Sequence, residues 1–373
     1  HRNITFVAKS KKPARIVFTA GMDKLPKEQK RAPEKISWKE VDGKLAQEVE
    51  GKTAQEFSLL KGYTLSNCDG PKDHLGRDID LFEPLGIDFV GNDTVFVSTR
   101  ASGVWKIYKG EWHLFAEGTY ESLGLVAENE HTIVLGEKTG LMRVTDTDGD
   151  HWADHRENMS DHFRFNGNYH EYLHGPVKYG DSYLYNLNLA HRIEGNYKGG
   201  GAAMGTVGGL RGWMCEINSK GEFNTFANGL RSPAGLAGFP AGEIVYAENQ
   251  GSYVGTSKIF IVKKGKFYGN PVGLIDLPGM NDESKEVQWE SVRDKCELPL
   301  VLLPQGKAMN SPGSPEWDTT GGKFGPYSGK MFVGDQTLSR LFVVDRQKVG
   351  DIEQAALIPF AEGLASGAMR LKF

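Results

Sequence analysis

The chain has 373 residues, of which 39% are apolar and 25% are charged, a composition typical of a folded globular protein. Its 44 basic and 48 acidic residues give a net charge of −4, which argues against a general nucleic-acid binder, since such domains are usually strongly basic. No apolar stretch approaches the roughly 20 residues that a membrane-spanning helix needs. Three cysteines, Cys68, Cys215 and Cys296, allow at most one disulfide.

The first 56 residues form a basic segment with 13 basic and 8 acidic residues. Two short alternating runs within it, residues 4–8 and 14–19, predict a pair of strands, and residues 35–50 are polar with weak helical character. We therefore expect a basic N-terminal appendage over residues 1–56 and a main domain over residues 57–373.

One pattern recurs from residue 57 onward: a glycine followed by apolar residues, a short polar turn, and a strand rich in Val, Ile, Tyr or Phe. The copies begin at Gly86, Gly124, Gly175, Gly235 and Gly313. Their spacings, 38 to 78 residues, match a unit of about four strands with growing insertions, which is the size of a propeller blade. The sequence therefore predicts an all-β fold, a six-bladed β-propeller.

Residues 366–373 resemble the opening strand of a sixth copy, and the sequence stops there. Two alternatives follow from this pattern. Either strands from the N-terminal region complete the sixth blade, or the sequence is a piece of a longer protein.

A loop over residues 146–157 carries the strongest local chemical signal. Carboxylates occupy its positions 1, 3, 5, 9 and 12, which are Asp146, Asp148, Asp150, Asp154 and Glu157. This alternate spacing is typical of a calcium loop, although the sixth position, usually glycine, is His151. We expect calcium to tie down an interblade loop here rather than to take part in catalysis, and the alternative is an acidic solvated turn.

Residues 168–174 place two histidines and two tyrosines ahead of a predicted inner strand, where a loop would face the central channel. Imidazole titrates near neutrality, so His170 or His174 can accept a proton from a hydroxyl group or an acidic carbon. Tyr169 or Tyr172 could then serve as a partner acid. The candidate catalytic residues are His170, Tyr169 and His174, and the alternative is that they are packed or hydrogen-bonded in a turn.

Several segments resemble a known superfamily. The segments similar to signatures of the soluble aldose dehydrogenases are residues 229–237, 248–251 and 266–271. The segments that resemble a branch of that superfamily named for membrane-bound dehydrogenases are residues 146–150, 167–172, 321–326 and 334–337. The resemblance extends over roughly residues 57–373. It implies a six-bladed propeller that uses pyrroloquinoline quinone and calcium.

The resemblance also implies roles for individual residues. His170 lies where the aldose dehydrogenases have the histidine that removes the hydroxyl proton, and Arg231 lies where they have an arginine beside the quinone. Arg340 lies near the position of an arginine that binds a cofactor carboxylate. The positions whose backbone carbonyls hold the cofactor's calcium correspond to Gln250, Gly251 and Ser252.

Three functions remain open at this point. The resemblance favours a quinone- and calcium-dependent oxidoreductase acting on a sugar or related alcohol. The alternatives are a cofactor-free propeller lyase or hydrolase that uses His170 and a tyrosine, and a non-catalytic propeller that binds a glycan or a protein.

The preferred function implies a small-molecule or oligosaccharide substrate, with no nucleic-acid partner and no membrane span. A partner protein, or the remaining domain of a longer chain, is a further expectation. The resemblance implies a secreted or periplasmic protein, although no signal peptide is visible in the sequence.

Overall fold

The computed structural model describes residues 55–79, 81–165, 170–189, 208–239, 241–251, 253–279, 292–364 and 366–373, together with four strands of the N-terminal segment. Two predicted site residues, Tyr169 and Ser252, lie outside the described residues. Among the described residues no helix is long and apolar enough to cross a membrane.

The structure is almost entirely antiparallel sheet. The N-terminal strands are β1 (Asn3–Ala8), β2 (Arg15–Phe18), β3 (Trp38–Val41), β4 (Lys44–Gln47), β5 (Gln55–Leu59) and β6 (Tyr63–Cys68). Blade 1 consists of β7 (Pro84–Val90), β8 (Thr94–Thr99), β9 (Val104–Tyr108) and β10 (Glu111–Ala116). Blade 2 consists of β11 (Gly124–Asn129), β12 (Thr132–Glu137), β13 (Gly140–Thr145) and β14 (His155–Ser160).

The remaining blades follow the same order. Blade 3 consists of β15 (Leu173–Tyr179), β16 (Ser182–Leu187), β17 (Trp213–Asn218) and β18 (Phe223–Asn228). Blade 4 consists of β19 (Gly235–Gly238), β20 (Ile244–Glu248), β21 (Ser257–Ile261) and β22 (Val301–Leu303), with 3₁₀ helices over Pro271–Asp276 and Arg293–Lys295 between the last two strands. Blade 5 consists of β23 (Glu316–Trp317), β24 (Met331–Asp335), β25 (Arg340–Val349) and β26 (Ile352–Glu362).

Within each blade the strands pair in sequence order, so each connection is a hairpin. The second strands β12 and β16 are buried along their whole length, because neighbouring blades cover both of their faces. Their sequences, TIVLGE and SYLYNL, are accordingly rich in β-branched and aromatic residues. This arrangement confirms the predicted β-propeller.

The innermost strands surround a central channel and approach one another so closely that only glycine fits between them. A Cβ atom on Gly124 would lie 2.5 Å from the Gly175 carbonyl oxygen, and one on Gly235 would lie 2.2 Å from that of Gly313. The five glycines that the repeat singled out therefore occupy equivalent positions on the inner strands. Gly313 continues the series, since its Cβ would lie 2.3 Å from the Met369 carbonyl oxygen.

Residues 366–373 occupy the innermost position of a sixth sector, between blades 5 and 1. The Lys372 Nζ lies 3.3 Å from Asp88 Oδ1 on blade 1 and 3.6 Å from Glu316 Oε2 on blade 5. These contacts close the ring around the channel.

Strands from the N-terminal region lie next to this segment. Leu371 packs in the same apolar cluster as Leu65 of β6, and β6 pairs with β1, which pairs with β2. The sixth sector thus takes its inner segment and its other strands from opposite ends of the sequence.

Of the two predictions for the secondary structure of the N-terminal segment, one is confirmed and the other is wrong. Residues 4–8 and 14–19 were expected to form paired strands, and β1 and β2 pair antiparallel there. The weak helix expected over residues 35–50 is wrong, because β3, β4 and β5 extend the sheet of blade 5. β4 pairs with β3 and with β5, and these backbone hydrogen bonds outweigh a weak local helical preference.

Candidate functional site

One face of the propeller, called the upper face here, carries the segments that precede the inner strands and the turns between the second and third strands. A recurring hydrogen bond of 2.9–3.4 Å joins the two in every blade. Its donors and acceptors are Arg100 N to Glu83 O, Lys138 N to Tyr120 O, Asn188 N to Tyr172 O, Asn249 N to Ser232 O, and Gln336 N to Ser311 O. The predicted catalytic and cofactor residues that the structure describes all lie on this face.

His170 is half-buried on the upper face and is held by Asn188 at the end of β16. Asn188 Oδ1 accepts the Tyr172 N–H at 2.5 Å, and its Nδ2 donates to the His170 carbonyl at 2.6 Å. These two backbone contacts fix the orientation of the amide, so it is Nδ2 that faces His170 Nδ1 at 3.3 Å. We therefore assign the hydrogen of the neutral imidazole to Nε2.

The Tyr172 ring lies near both histidines, with its centroid 5.9 Å from that of His170 and 6.0 Å from that of His174. The His174 side chain is buried, and its Nδ1 has no hydrogen-bond partner among the described residues. Burial holds the pKa of His174 well below its usual value, and the positive charges of Arg370 and Arg211 act in the same direction. His174 is therefore neutral at physiological pH.

Arg231 precedes the inner strand of blade 4 and packs against Gly251. A Cβ on Gly251 would lie 3.2 Å from Arg231 Cγ, so the two predicted cofactor positions are in contact. Burial lowers the pKa of Arg231, and the charge of Glu248 offsets part of that effect. The Arg231 Nε is buried without an acceptor among the described residues.

Residues 188–189 join the two predicted groups. Asn188 holds His170, as described above, and the N–H of Leu189 donates to the Arg231 carbonyl at 2.9 Å. Blades 3 and 4 therefore present His170 and Arg231 as neighbours on one face.

The other predicted cofactor residues are positioned less directly. Gln250 follows β20, and its N–H donates to Ser257 Oγ at 3.2 Å. Arg340 lies on the upper face of blade 5, where its Nε is 3.2 Å from Glu362 Oε1 and its Nη1 donates to the Lys307 carbonyl at 2.9 Å. Its guanidinium is thus engaged within its own blade.

Sequence analysis missed two buried residues that shape this site. Asn188 follows a strand with no motif around it. Arg211 is fully buried, donates through Nη1 to the Tyr172 carbonyl at 3.0 Å, and has no acceptor for Nη2 among the described residues. An arginine between glycines at a strand start, as in Gly209-Leu210-Arg211-Gly212, is the signal that would have pointed to it.

The predicted calcium loop lies on the opposite face, between β13 and β14. The expectation of an interblade loop is wrong, because these strands are neighbours within blade 2. The carboxylates of Asp146, Asp148 and Asp150 converge, with oxygens within 4.8 Å of one another. The carboxylates of Asp154 and Glu157 are not part of this cluster. Asp154 accepts a hydrogen bond from Thr147 N at 2.9 Å, and Glu157 accepts one from Arg143 Nη1 at 3.1 Å.

His151 takes the left-handed conformation, with φ of 74°, that the sixth position of such a loop normally gives to glycine. Its N–H donates to Asp146 Oδ2 at 3.1 Å. A histidine at this position therefore does not prevent the loop from folding around Asp146.

Comparison of this structure with solved structures of known proteins supports the β-propeller fold. No family model and no curated protein matches the chain. The PQQ-bound aldose sugar dehydrogenase of Streptomyces coelicolor aligns with a TM-score of 0.52 and 14% identity over 77% of this chain and 83% of that one. The holo PQQ domain of pyranose dehydrogenase from Coprinopsis cinerea aligns with a TM-score of 0.50 and 13% identity over 78% of this chain and 82% of that one.

A glucose-dehydrogenase-like protein of Thermus thermophilus aligns with a TM-score of 0.53 and 15% identity over 74% of this chain and 83% of that one. At such identities the likeness concerns the fold. The chain is therefore a β-propeller with the fold of the soluble PQQ-dependent sugar dehydrogenases.

Proposed function

We propose that the protein is an oxidoreductase that acts on a sugar or related alcohol and depends on pyrroloquinoline quinone and calcium. The observation that carries the proposal is the placement of His170 beside Arg231 on the upper face, joined through residues 188–189. A proton acceptor and a guanidinium from neighbouring blades are what the oxidation of a hydroxyl group beside an acidic cofactor requires.

The residues present fit such a cofactor. Pyrroloquinoline quinone carries carboxylates and quinone oxygens, all of which accept hydrogen bonds. The buried Arg231 Nε has no acceptor among the described residues, and a guanidinium can pair with a carboxylate through two parallel bonds. Arg231 would hold the cofactor, and the carbonyls of Gln250 and Gly251 would hold its calcium. When bound, the quinone would supply the two-electron acceptor.

His170 would take the proton of the substrate hydroxyl. A neutral imidazole accepts a proton only at the nitrogen that carries no hydrogen, which is Nδ1 in the free site. Because Asn188 Nδ2 donates towards Nδ1 at 3.3 Å, substrate binding has to open this contact before Nδ1 can accept a proton. Arg231 would meanwhile offset negative charge on the bound ligands.

The acidic loop over residues 146–157 would bind a second calcium ion, on the face away from the chemistry. There it would fix the connection between β13 and β14. By the same resemblance, we propose that the protein is secreted or periplasmic.

The test is a calorimetric and absorbance titration of the calcium-loaded protein with pyrroloquinoline quinone. We expect saturable, calcium-dependent binding that Arg231→Gln weakens about 10- to 100-fold, because a charged hydrogen bond contributes about 1.5–3 kcal/mol. Arg340→Gln is the matched comparison and should weaken binding less, since Glu362 and the Lys307 carbonyl already engage that guanidinium. Absence of quinone binding to correctly folded protein would refute the proposal.

A second candidate function is favoured by the hydrogen on His170 Nε2. In the free site His170 is a donor at Nε2, which suits a cofactor-free lyase that polarises the carboxylate of a uronic acid while a tyrosine exchanges protons. Turnover of an acidic polysaccharide to an unsaturated product without quinone or added oxidant would favour this function over the first.

A further inference from the structure

Arg370 lies across the upper end of the central channel. It follows Met369, whose carbonyl lies against Gly313, and belongs to the innermost segment of the sixth sector, yet its side chain reaches blade 2. Its Nε and Nη2 donate to the Leu123 carbonyl at 3.3 and 2.9 Å, and its Nη1 donates to the Met369 carbonyl at 3.0 Å. The residue lines the channel and is only 7% exposed.

The charge of this guanidinium has no carboxylate to balance it among the described residues. Lys372, two positions further along, is flanked by Asp88 and Glu316, whereas Arg370 is bonded to backbone carbonyls alone. Burial lowers the pKa of Arg370 to about 10, so the side chain still carries its charge at neutral pH. An unpaired buried charge is costly, by several kcal/mol, and folded proteins usually provide it with a counter-charge.

The guanidinium also has hydrogen-bonding capacity left. It carries five N–H groups, and the three bonds to Leu123 and Met369 leave two of them, one on Nη1 and one on Nη2. One hydrogen on each terminal nitrogen is what an end-on, two-bond contact with a carboxylate uses.

A second group near Arg370 also has an unused polar atom. His174 lies close enough for the charge of Arg370 to act on it, and its buried Nδ1 has no partner among the described residues. A neutral imidazole beside a charged guanidinium adds a further hydrogen-bonding position without adding negative charge.

We propose that Arg370 binds the carboxylate of an acidic sugar at the upper end of the channel, with His174 beside it, which makes a sugar acid the substrate class. The identification of the ligand as a sugar rests on the proposed function, whereas the carboxylate site rests on Arg370 alone. A neutral sugar would leave the charge of Arg370 unbalanced, and it would therefore bind less tightly than its acidic counterpart.

The experiment compares glucose with gluconate, the open-chain acid that carries a carboxylate at C1. Isothermal titration at constant ionic strength measures binding of gluconate and of glucose to the wild-type protein, to Arg370→Gln and to Arg100→Gln. Arg100 is the matched control, because it lies on the upper face but half exposed, 3.7 Å from Glu121. Circular dichroism and thermal melting establish that each variant is folded, and Arg370→Lys keeps the charge while removing the two-bond geometry.

We expect gluconate to bind at least tenfold more tightly than glucose to the wild-type protein and to Arg100→Gln. Arg370→Gln should abolish the difference, and Arg370→Lys should retain part of it. Equal binding of the two sugars, or an unchanged preference in folded Arg370→Gln, would overturn the proposal.

Two further titrations, with acetate and with pyrroloquinoline quinone, show which kind of carboxylate ligand Arg370 binds. Acetate that binds as tightly as gluconate and competes with it would support the carboxylate site but overturn a sugar acid as its ligand. If Arg370→Gln loses affinity for pyrroloquinoline quinone while its gluconate binding is unchanged, the site serves the cofactor and the proposal is overturned. Gluconate binding in a protein that binds no quinone would refute the dehydrogenase and leave the carboxylate site intact.

Discussion

His174 illustrates how the surroundings of a residue, more than its type, decide its chemistry in this protein. Sequence alone offers both His170 and His174, four positions apart, as candidate catalytic residues. The structure places the first half-buried against Asn188 and the second fully buried near Arg370 and Arg211. The first is partly exposed, whereas burial keeps the second neutral, so the two histidines do not have the same role.

The buried His174 makes the stability of the protein depend on pH. Its pKa is depressed in the folded state, so below about pH 6.5 the unfolded chain binds a proton that the folded chain does not. The stability is therefore complete above pH 6.5 and falls as the pH drops towards the folded pKa, by about 1.4 kcal/mol per pH unit for one such group.

His174→Gln should accordingly flatten the fall of the melting temperature between pH 6.5 and 5. His155→Gln, at an exposed histidine, is the control and should leave the slope unchanged. An identical pH slope in wild type and His174→Gln would show that the imidazole is not held neutral by burial.

Residues of the site differ in how far the sequence could predict them. Arg231 and Gly251 were predicted together because a family pattern spans both, and the structure brings them into contact. Asn188, Arg211 and Arg370 were not singled out, because their importance comes from backbone groups elsewhere in the chain, up to 247 positions away for Arg370 and Leu123. Such partners depend on the blade arrangement, which local sequence does not specify.

At the scale of elements, the connection between β13 and β14 combines two kinds of carboxylate. Asp146 is buried and accepts the N–H groups of Gly149 and His151, so it shapes the loop itself. Asp148 and Asp150 are exposed, and their oxygens converge on those of Asp146. Exposed carboxylates this close repel one another unless a cation lies between them.

Calcium should therefore raise the melting temperature, and a chelator should reverse the effect. At a calcium concentration about 100 times the dissociation constant, the gain is about 2.7 kcal/mol. Asp148→Asn keeps an oxygen ligand but removes its negative charge, and it leaves the shaping contacts of Asp146 in place, so it should weaken the calcium response while the metal-free protein melts as before. Asp93→Asn, at an exposed turn of blade 1, should respond like the wild type. A full calcium response in Asp148→Asn would contradict calcium binding at this loop.

The elements of the blades were easier to predict than the elements between them. Each second strand is a short apolar run bounded by turns, and this pattern is present in the sequences of β12, β16 and β20. The strands β3 and β4 carry no such run, and only the edge of blade 5 makes them strands. The insertion between β21 and β22, whose described part includes 3₁₀ helices over Pro271–Asp276 and Arg293–Lys295, likewise has no periodic signal.

At the scale of the whole molecule, the ring is closed by ion pairs across the sixth sector. Lys372 connects Asp88 on blade 1 with Glu316 on blade 5, and burial raises the pKa of Glu316. Lys372→Gln would leave two carboxylates without their cation where the first and last blades meet.

We expect Lys372→Gln to lower the free energy of unfolding by about 1–3 kcal/mol, less than for a fully buried pair because a third of the lysine side chain is exposed. Lys348→Gln, at the exposed end of β25, serves as the control and should have little effect. Urea unfolding measures both, and equal midpoints for the two variants would show that the pairs do not hold the ring closed.

The close contacts between inner-strand glycines have a further consequence for how the blades are positioned along the channel axis. A strand that slid by one residue would bring a Cβ atom against the neighbouring carbonyl, at distances near those of 2.2–2.5 Å described for Gly124 and Gly235. These close contacts thus fix the position of each blade along the channel axis relative to the next blade. Loops on the upper face can then differ widely in length while the strands beneath them, and the side chains at their ends, stay level with one another.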